Sequence, residues 1–333
     1  MSRKLILITP DKSIDITPIV GNITLDSDID TLGQSLSFDL ANSDTKFFPK
    51  NPCDLGHIVV LTNGSKELYR GIIVSEQKDG RYHIAYRSFD FAFHLNQSTV
   101  VYQFNKTVAA NAAEAIKKIC KDFGMSIGSI LNMSPVIKKI YIQESPAAII
   151  KDIIDQVEKQ LGFKILMEMR GGKLYIEKRN DLVVDDTFQL ADNLIKNKII
   201  DAIGDPTRHR SIEEMRNSIK IIVRGEKDTY TVKATANDKS LIDKYGLLQH
   251  TETIDEEDIA KARTIANNKL KELGRVFEDN SIRLIGHDDV RAGRIIQLNE
   301  PITGITGKWL IKSVMHTISG GQHFMDVNLG VIT

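Results

Sequence analysis

The sequence predicts an α+β fold with two antiparallel β domains and a helical α/β segment inserted between and within them. Three observations carry that prediction. A set of short strands and glycine turns occurs twice, once toward each end of the chain. Between the copies the texture changes to amphipathic helix. The strands that flank the copies alternate polar and apolar residues, the mark of a sheet with one buried face.

The first copy runs Leu55–Leu61 behind Gly56, then Glu67–Ser75, a Gly80 turn and Tyr82–Tyr86. The second runs Ala292–Leu298 behind Gly293, a Pro301/Gly304 turn, Gly307–Val314, and a Gly320-Gly321 turn into Gln322–Leu329. The likeness extends backward. Gln34–Leu40 alternates cleanly, and Asn217–Val223 is its expected counterpart; each follows an apolar run (Ile19–Leu25; Ile199–Ile203) and a long polar loop. The second copy is then interrupted by roughly 55–60 residues that carry a helix, as an insertion into a repeated unit would be.

From residue 1 to about Thr99 the chain reads as nearly all β, with loops rich in Asp, Gly, Asn and Pro at 26–33, 42–54 and 63–64. Short strands at that spacing suggest a barrel or a sandwich. A helix is expected from Val108 to Phe123, capped by Thr107 and stopped by Gly124, with Cys120 as a small buried hydrophobe. The next helix has a stronger signature: Ser145 as N-cap, Pro146 at the first position, and Gly162 after Leu161. Its stripe is Ile149, Ile150, Ile153, Ile154, Val157 and Leu161. A hairpin, Phe163–Met169 and Lys173–Lys178, should follow around Gly171-Gly172. After a capped turn at Ser211–Glu214 come strands at 217–223 and 230–236 with a turn at 226–228. A third helix begins at Asp255, where Glu256, Glu257 and Asp258 suit the positive helix end. Its face is Ile259, Ala262, Ala266, Leu270 and Leu273.

Composition narrows the function classes. Lys+Arg and Asp+Glu are both 44, so the net charge is +0, without the basic excess of a general nucleic-acid binder. Two cysteines, Cys53 and Cys120, have neither metal-ligand spacing nor disulfide-scaffold density, which fits a reducing compartment. Arg3 and Lys4 precede only the short apolar run Leu5–Ile8, too little for a signal peptide, and nothing approaches the ~18 apolar residues of a membrane span. The expectation is a soluble, intracellularly made, multidomain protein.

Few residues invite a catalytic reading. Gly124-Met125-Ser126-Ile127-Gly128 matches G-x-S-x-G, but that motif needs a strand entering the turn and a helix leaving it, and here a helix enters. His287-Asp288-Asp289 and the pair His316/His323 lack the regularity of a metal site. A solvated turn and two sheet-surface histidines are the expected roles. Trp309 is expected in the core or at an interface. No catalytic, cofactor-binding or metal residue is assigned, and no cofactor is expected.

The order of elements resembles the baseplate (tail) hub proteins of contractile phages and phage-tail-like bacteriocins, in the form found in defective prophages of Gram-positive bacteria. The residues that carry the resemblance are Ala85–Asn96, Ser211–Asn217, Tyr245–Gln249, Val290–Gly293, His316 and Gly320–His323. Arg87-Ser88-Phe89-Asp90 stands where that family usually has an aspartate-bearing "AYD"-like signature. The resemblance implies two barrels similar to the tail-tube protein: residues 1–100, and 187–238 with 278–333. It implies a helical α/β domain of 101–186 with 239–277 outside the ring. It further implies a homotrimer whose six barrels let threefold symmetry imitate sixfold. The implied partners are the tail tube, a central spike, baseplate wedge proteins and a tape-measure protein, with no membrane and no sequence-specific nucleic acid. The implied location is a tail particle assembled in the bacterial cytoplasm. Some relatives of that kind fuse a lysozyme or spike domain after the second barrel, so for a sequence ending at Thr333 the spike is expected as a separate polypeptide. The alternatives are a tail-associated hydrolase acting through Ser126, and a glycan- or nucleic-acid-binding β module.

Overall fold

The computed structural model describes residues 3–189, 203–225 and 229–332. The first β unit comprises β1 (Arg3–Ile8), β2 (Ser13–Asp15), β3 (Val20–Asp28), β4 (Gln34–Ala41), β5 (Ile58–Asn63), β6 (Lys66–Asp79) and β7 (His83–Asp90). They pair in the order β3-β4-β7-β6-β5-β1-β2. The alternation of Gln34–Leu40 is realised directly: Leu36, Phe38 and Leu40 point into a core with Leu5, Leu7, Leu61 and Tyr86.

The helical segment follows as α1 (Ala92–Gln97), β8 (Val100–Phe104), α2 (Ala112–Asp122), β9 (Ser126–Ile130), β10 (Lys139–Glu144), α3 (Pro146–Leu161), β11 (Ile165–Arg170) and β12 (Lys173–Lys178). Helix α3 has the predicted ends. Ser145 Oγ accepts from Ala148 N, Pro146 opens the first turn, and Gly162 closes it at φ +73, where a Cβ would be strained. Helix α2 starts four residues later than expected, because Asn111, whose side chain accepts from Glu114 N, supplies the cap instead of Thr107. Cys120 is buried, as expected.

The rest of the chain forms β13 (Val183–Gln189), β14 (Ile203–Ser211), β15 (Ser218–Arg224), β16 (Tyr230–Asn237), α4 (Lys239–Tyr245), β17 (Gln249–Thr253), α5 (Ala262–Leu273), β18 (Phe277–Ile285), β19 (Ile295–Glu300), β20 (Ile305–Ser319) and β21 (Gln322–Gly330). Here the pairing β14-β18-β21-β20-β19-β13 repeats the first unit's β3-β4-β7-β6-β5-β1 strand for strand, although β13 runs parallel to β19. The match reaches single hydrogen bonds. Gly56 N donates to Ile73 O while Ile73 N donates to His57 O; Gly293 N donates to Ile311 O while Ile311 N donates to Arg294 O. Both glycines sit at positive φ, +84 and +82, and both long strands bulge just after, at Val74 and Lys312.

One expectation is corrected. The strand at 218–224 is not the counterpart of Gln34–Ala41. It pairs with β16 and β17 in a separate three-stranded sheet, packed on α5 through Ile219, Ile221, Ala262 and Ala266. The counterpart of β4 is β18, so the insertion spans 212–276 and takes the 217–238 stretch out of the second β unit. Alternation alone could not distinguish them, since both strands bury one face. The third helix is also displaced: Glu256–Lys261 is a 3₁₀ turn and the α-helix begins at Ala262, which leaves Ile259 exposed. The turn at 226–228 and all of the run 199–203 except Ile203 lie outside the described residues.

The two units share one sheet. β20 is long enough to pair with β19 through Ile305–Leu310 and then, past its bulge, with β3 through Ser313–Ile318. Among the described residues, neither unit's sheet closes on itself.

Candidate functional site

Among the described residues, a dense cluster of polar side chains lies where the two β units and the helical segment meet. The 286–294 loop between β18 and β19 reaches across to the first unit. Asp288 takes hydrogen bonds from Arg3 (2.8 Å) and Asn63 (2.6 Å), Asp289 pairs with Lys66 (2.5 Å), and Ala292 N donates to Ser27 Oγ (3.1 Å). Burial opposes ionisation of Asp288, but the hydrogen bonds from Asn63 and Arg3 hold its carboxyl below the usual range.

Beneath that loop runs a chain of bonds through two imidazoles. His316 Nε2 lies 2.9 Å from Val290 O, a carbonyl that can only accept, so this nitrogen carries the proton. His316 Nδ1 therefore accepts from His323 Nε2 at 2.9 Å, and His323 Nδ1 accepts from Arg3 at 2.6 Å. Both rings are neutral. Burial pushes His316 down to about 4, and burial with the neighbouring His316 pushes His323 down to about 3. The expectation of surface histidines is thus corrected: His316 is buried and the His323 side chain is only 7% exposed. His316 on β20 and His323 on β21 are enclosed because β20 meets β3 there rather than solvent.

A second cluster ties in the helical segment. Arg291, its side chain 16% exposed, donates to Gln34 Oε1 (2.9 Å) and to Leu68 O (2.5 Å) and lies 4.0 Å from Glu168 on β11. Glu168 also receives Arg294 at 2.5 Å and Arg170 at 3.1 Å. Asp90, buried at the end of β7, accepts from Gln34 N (2.7 Å) and Ala92 N (3.0 Å); burial nevertheless raises it to about 7. Asn, Arg and Asp side chains from three parts of the chain meet here as one connected network, in which Arg3 Nε, Asn63 Oδ1 and Arg294 Nη1 are buried without a hydrogen-bond partner; it fixes geometry more than it adds stability.

The residues singled out from sequence fall elsewhere or take other roles. Ser126 opens β9 after α2 and is exposed, so a helix enters and a strand leaves, the reverse of a nucleophile elbow. His287 pairs with Asp186 at 2.9 Å and meets Phe188 edge-on, while Asp288 belongs to the joint rather than to a solvated turn. Trp309 is buried in the second unit's core. A cleft of about 1320 Å³ opens between the shared sheet and α3, lined by Asp26, Arg87, Lys151, Asp155, Lys312 and Asp326. Its charges are mixed in sign. No helix among the described residues is long and apolar enough to cross a membrane. Sequence reasoning gave Arg3, Asp90, Arg291 and Arg294 no part in a joint between the units, although Asp90 and Arg291 lie in stretches that carry the family resemblance. The available signal was weak: Arg291 and Arg294 are charges set among Val290, Ala292, Ile295 and Ile296.

Comparison with known proteins places this architecture. The chain is 27% identical over 279 residues to the uncharacterized protein YqbQ of Bacillus subtilis strain 168, covering 82% of this chain and 81% of the relative. It is 26% identical over 278 residues to the phage-like element PBSX protein XkdQ of the same organism, with the same coverage. The fold is shared with the 43 kDa tail protein of prophage MuSo2 from Shewanella oneidensis, at a TM-score of 0.70, 12% identity and 98% coverage of both chains. The YQBQ-like family matches residues 23–330, which take in the first β unit from within β3 onward, the helical segment and the second β unit, and the chain belongs to that family.

Proposed function

We propose that the chain is a non-enzymatic structural hub of a phage-type tail baseplate. Three copies form a ring that joins a hexameric tail tube to a central spike and to baseplate wedge proteins. The observation that carries this reading is a pair of complementary open edges. Inside the chain, β20 of the second unit pairs with β3 of the first. The strand equivalent to β3 in the second unit is β14, and the stretch equivalent to the pairing part of β20 is the end of β6, Ser75–Asp79. Both are unpaired on their outer side among the described residues. A unit with one edge of each kind associates head to tail, and such contacts close only as a ring or run on as a filament.

With two similar units per chain, three chains present six, which matches a threefold spike to a sixfold tube. The tube-like units are then β1–β7 and β13, β14 with β18–β21. The insertion packs against the helical segment, through Lys159–Glu252 (2.7 Å), Lys164–Glu272 (3.0 Å) and Asn268 Nδ2 to Lys159 O (3.1 Å), and both sit outside the ring. The phage-like element and prophage tail proteins among its relatives support the particle context.

Light scattering on the purified chain, alone and with tube and spike proteins from the same particle, tests the reading. A trimer, or a trimer formed with either partner, is expected. Monomers throughout, with neither partner retained, would overturn it.

A further inference from the structure

The repeat makes the open edges legible residue by residue. Ile73 and Ile311 occupy the same place, each bonded to its glycine-led strand and followed by a bulge, so Ser75–Asp79 corresponds to Ser313–Thr317. In the same way Leu36 and Asn280 pair with equivalent residues, Ser88 and Leu329, and Leu25 and Arg208 pair with those two in turn. Thr207–Ser211 therefore corresponds to Thr24–Asp28. Both strands also skip residues near the same place, between Val20 and Ile23 and, one residue further along, between Gly204 and Thr207, where Pro206 sits as it can on an edge strand.

Within the chain, Ser313 faces Asp28, Val314 faces Ser27, Met315 faces Asp26 and His316 faces Leu25. We infer that β6 of one copy pairs antiparallel with β14 of the next in the corresponding register: Ser75 opposite Ser211, Glu76 opposite Arg210, Gln77 opposite His209 and Lys78 opposite Arg208. This inference rests on the ring reading and gives its chain-to-chain joint a chemistry. Glu76 meets a cation. Lys78 meets an arginine whose guanidinium is already held by Glu278 at 3.1 Å through two nitrogens, with Arg210 beside it at 3.3 Å. The positions that are Val314, His316 and Leu25 in the internal joint are charged in the external one. The internal joint is thus permanent, and the external joint is held by charge. The same charges protect the open edges of the free chain from indiscriminate strand pairing.

A second contact repeats alongside the strands. Inside the chain the 286–294 loop reaches the β5–β6 turn, through Asp289 and Lys66. The equivalent loop, 42–57, carries Phe47, and the equivalent turn, 301–304, carries Ile302. At 93% and 80% exposure these are the two most exposed large apolar side chains among the described residues. In the inferred register they face each other across the copies, as an apolar patch capping a charged strand pair.

Charge reversal tests the register on the full chain. Glu76→Arg and Arg210→Glu each place like charges opposite one another and should weaken ring formation by about tenfold, and the double variant should restore it. Gln77→Cys with His209→Cys should cross-link copies under oxidation, whereas either cysteine alone should not. Assembly of the wild type with both reversals silent and no cross-link would overturn the register while leaving the ring. A wild type that stays monomeric with and without tube and spike would overturn both.

Discussion

His323 links Arg3 of the first strand to His316 of the twentieth: it accepts from the guanidinium at 2.6 Å and donates to the second imidazole at 2.9 Å. A proton added to His316 would fall on the nitrogen that accepts from His323, and one added to His323 would face Arg3, with the Asp288 carboxylate 4.0 Å away. The joint between the β units is therefore built for the neutral rings.

Acid should loosen that joint. Both histidines have folded values (about 4 and about 3) below the ordinary 6.5. Their contribution is fully present above pH 6.5 and is lost as the pH falls toward 4, by up to about 1.4 kcal/mol per pH unit for each ring. Asp90, raised to about 7, acts in the opposite sense over the same window and offsets the share of one histidine. Urea denaturation from pH 7 to 4 should show stability falling with pH, and His316→Asn with His323→Gln should remove the histidine share. An unchanged slope in that double variant would mean the rings do not titrate on unfolding.

Arg291 should matter more than any surface arginine. Its replacement by alanine leaves Leu68 O, Gln34 and part of Glu168 without a partner inside the junction, at a cost of about 3 kcal/mol. A shift in the urea midpoint at constant m-value reads this directly. Loss under about 1 kcal/mol would place Arg291 among ordinary surface charges.

The two equivalent glycines should respond differently to the same change. Gly56→Ala meets open space and carries only the backbone strain of positive φ, about 1 kcal/mol. Gly293→Ala adds a Cβ at 2.3 Å from Leu166 Cδ1 and should cost about 1–3 kcal/mol more through overpacking. Thermal melts of the two variants side by side decide it, and equal losses would show that β11 yields to the methyl.

Ser126→Ala should change neither stability nor assembly, because the exposed hydroxyl follows a helix and stands on a short strand. Release of peptidoglycan fragments by the wild-type chain, abolished in this variant, would instead support the hydrolase alternative.

The local elements and the repeated glycine-led strands were legible in the order of residues alone. Ser145, Pro146 and Gly162 place α3 to the residue, and Gly56 and Gly293 mark the same turn twice, because caps and positive-φ positions are decided by a few neighbouring atoms. The same locality misassigned Ser218–Arg224 and left the histidines on the surface. Alternation says that a strand buries one face, not which sheet it joins, and β15 and β18 differ only in their neighbours. The pairing of β3 with β20 joins residues nearly three hundred positions apart, and that contact alone turns Arg3, His316, His323 and Asp288 into one network. Which edges remain open, and hence what the chain offers to another copy, follows from that long-range register, which no short stretch encodes.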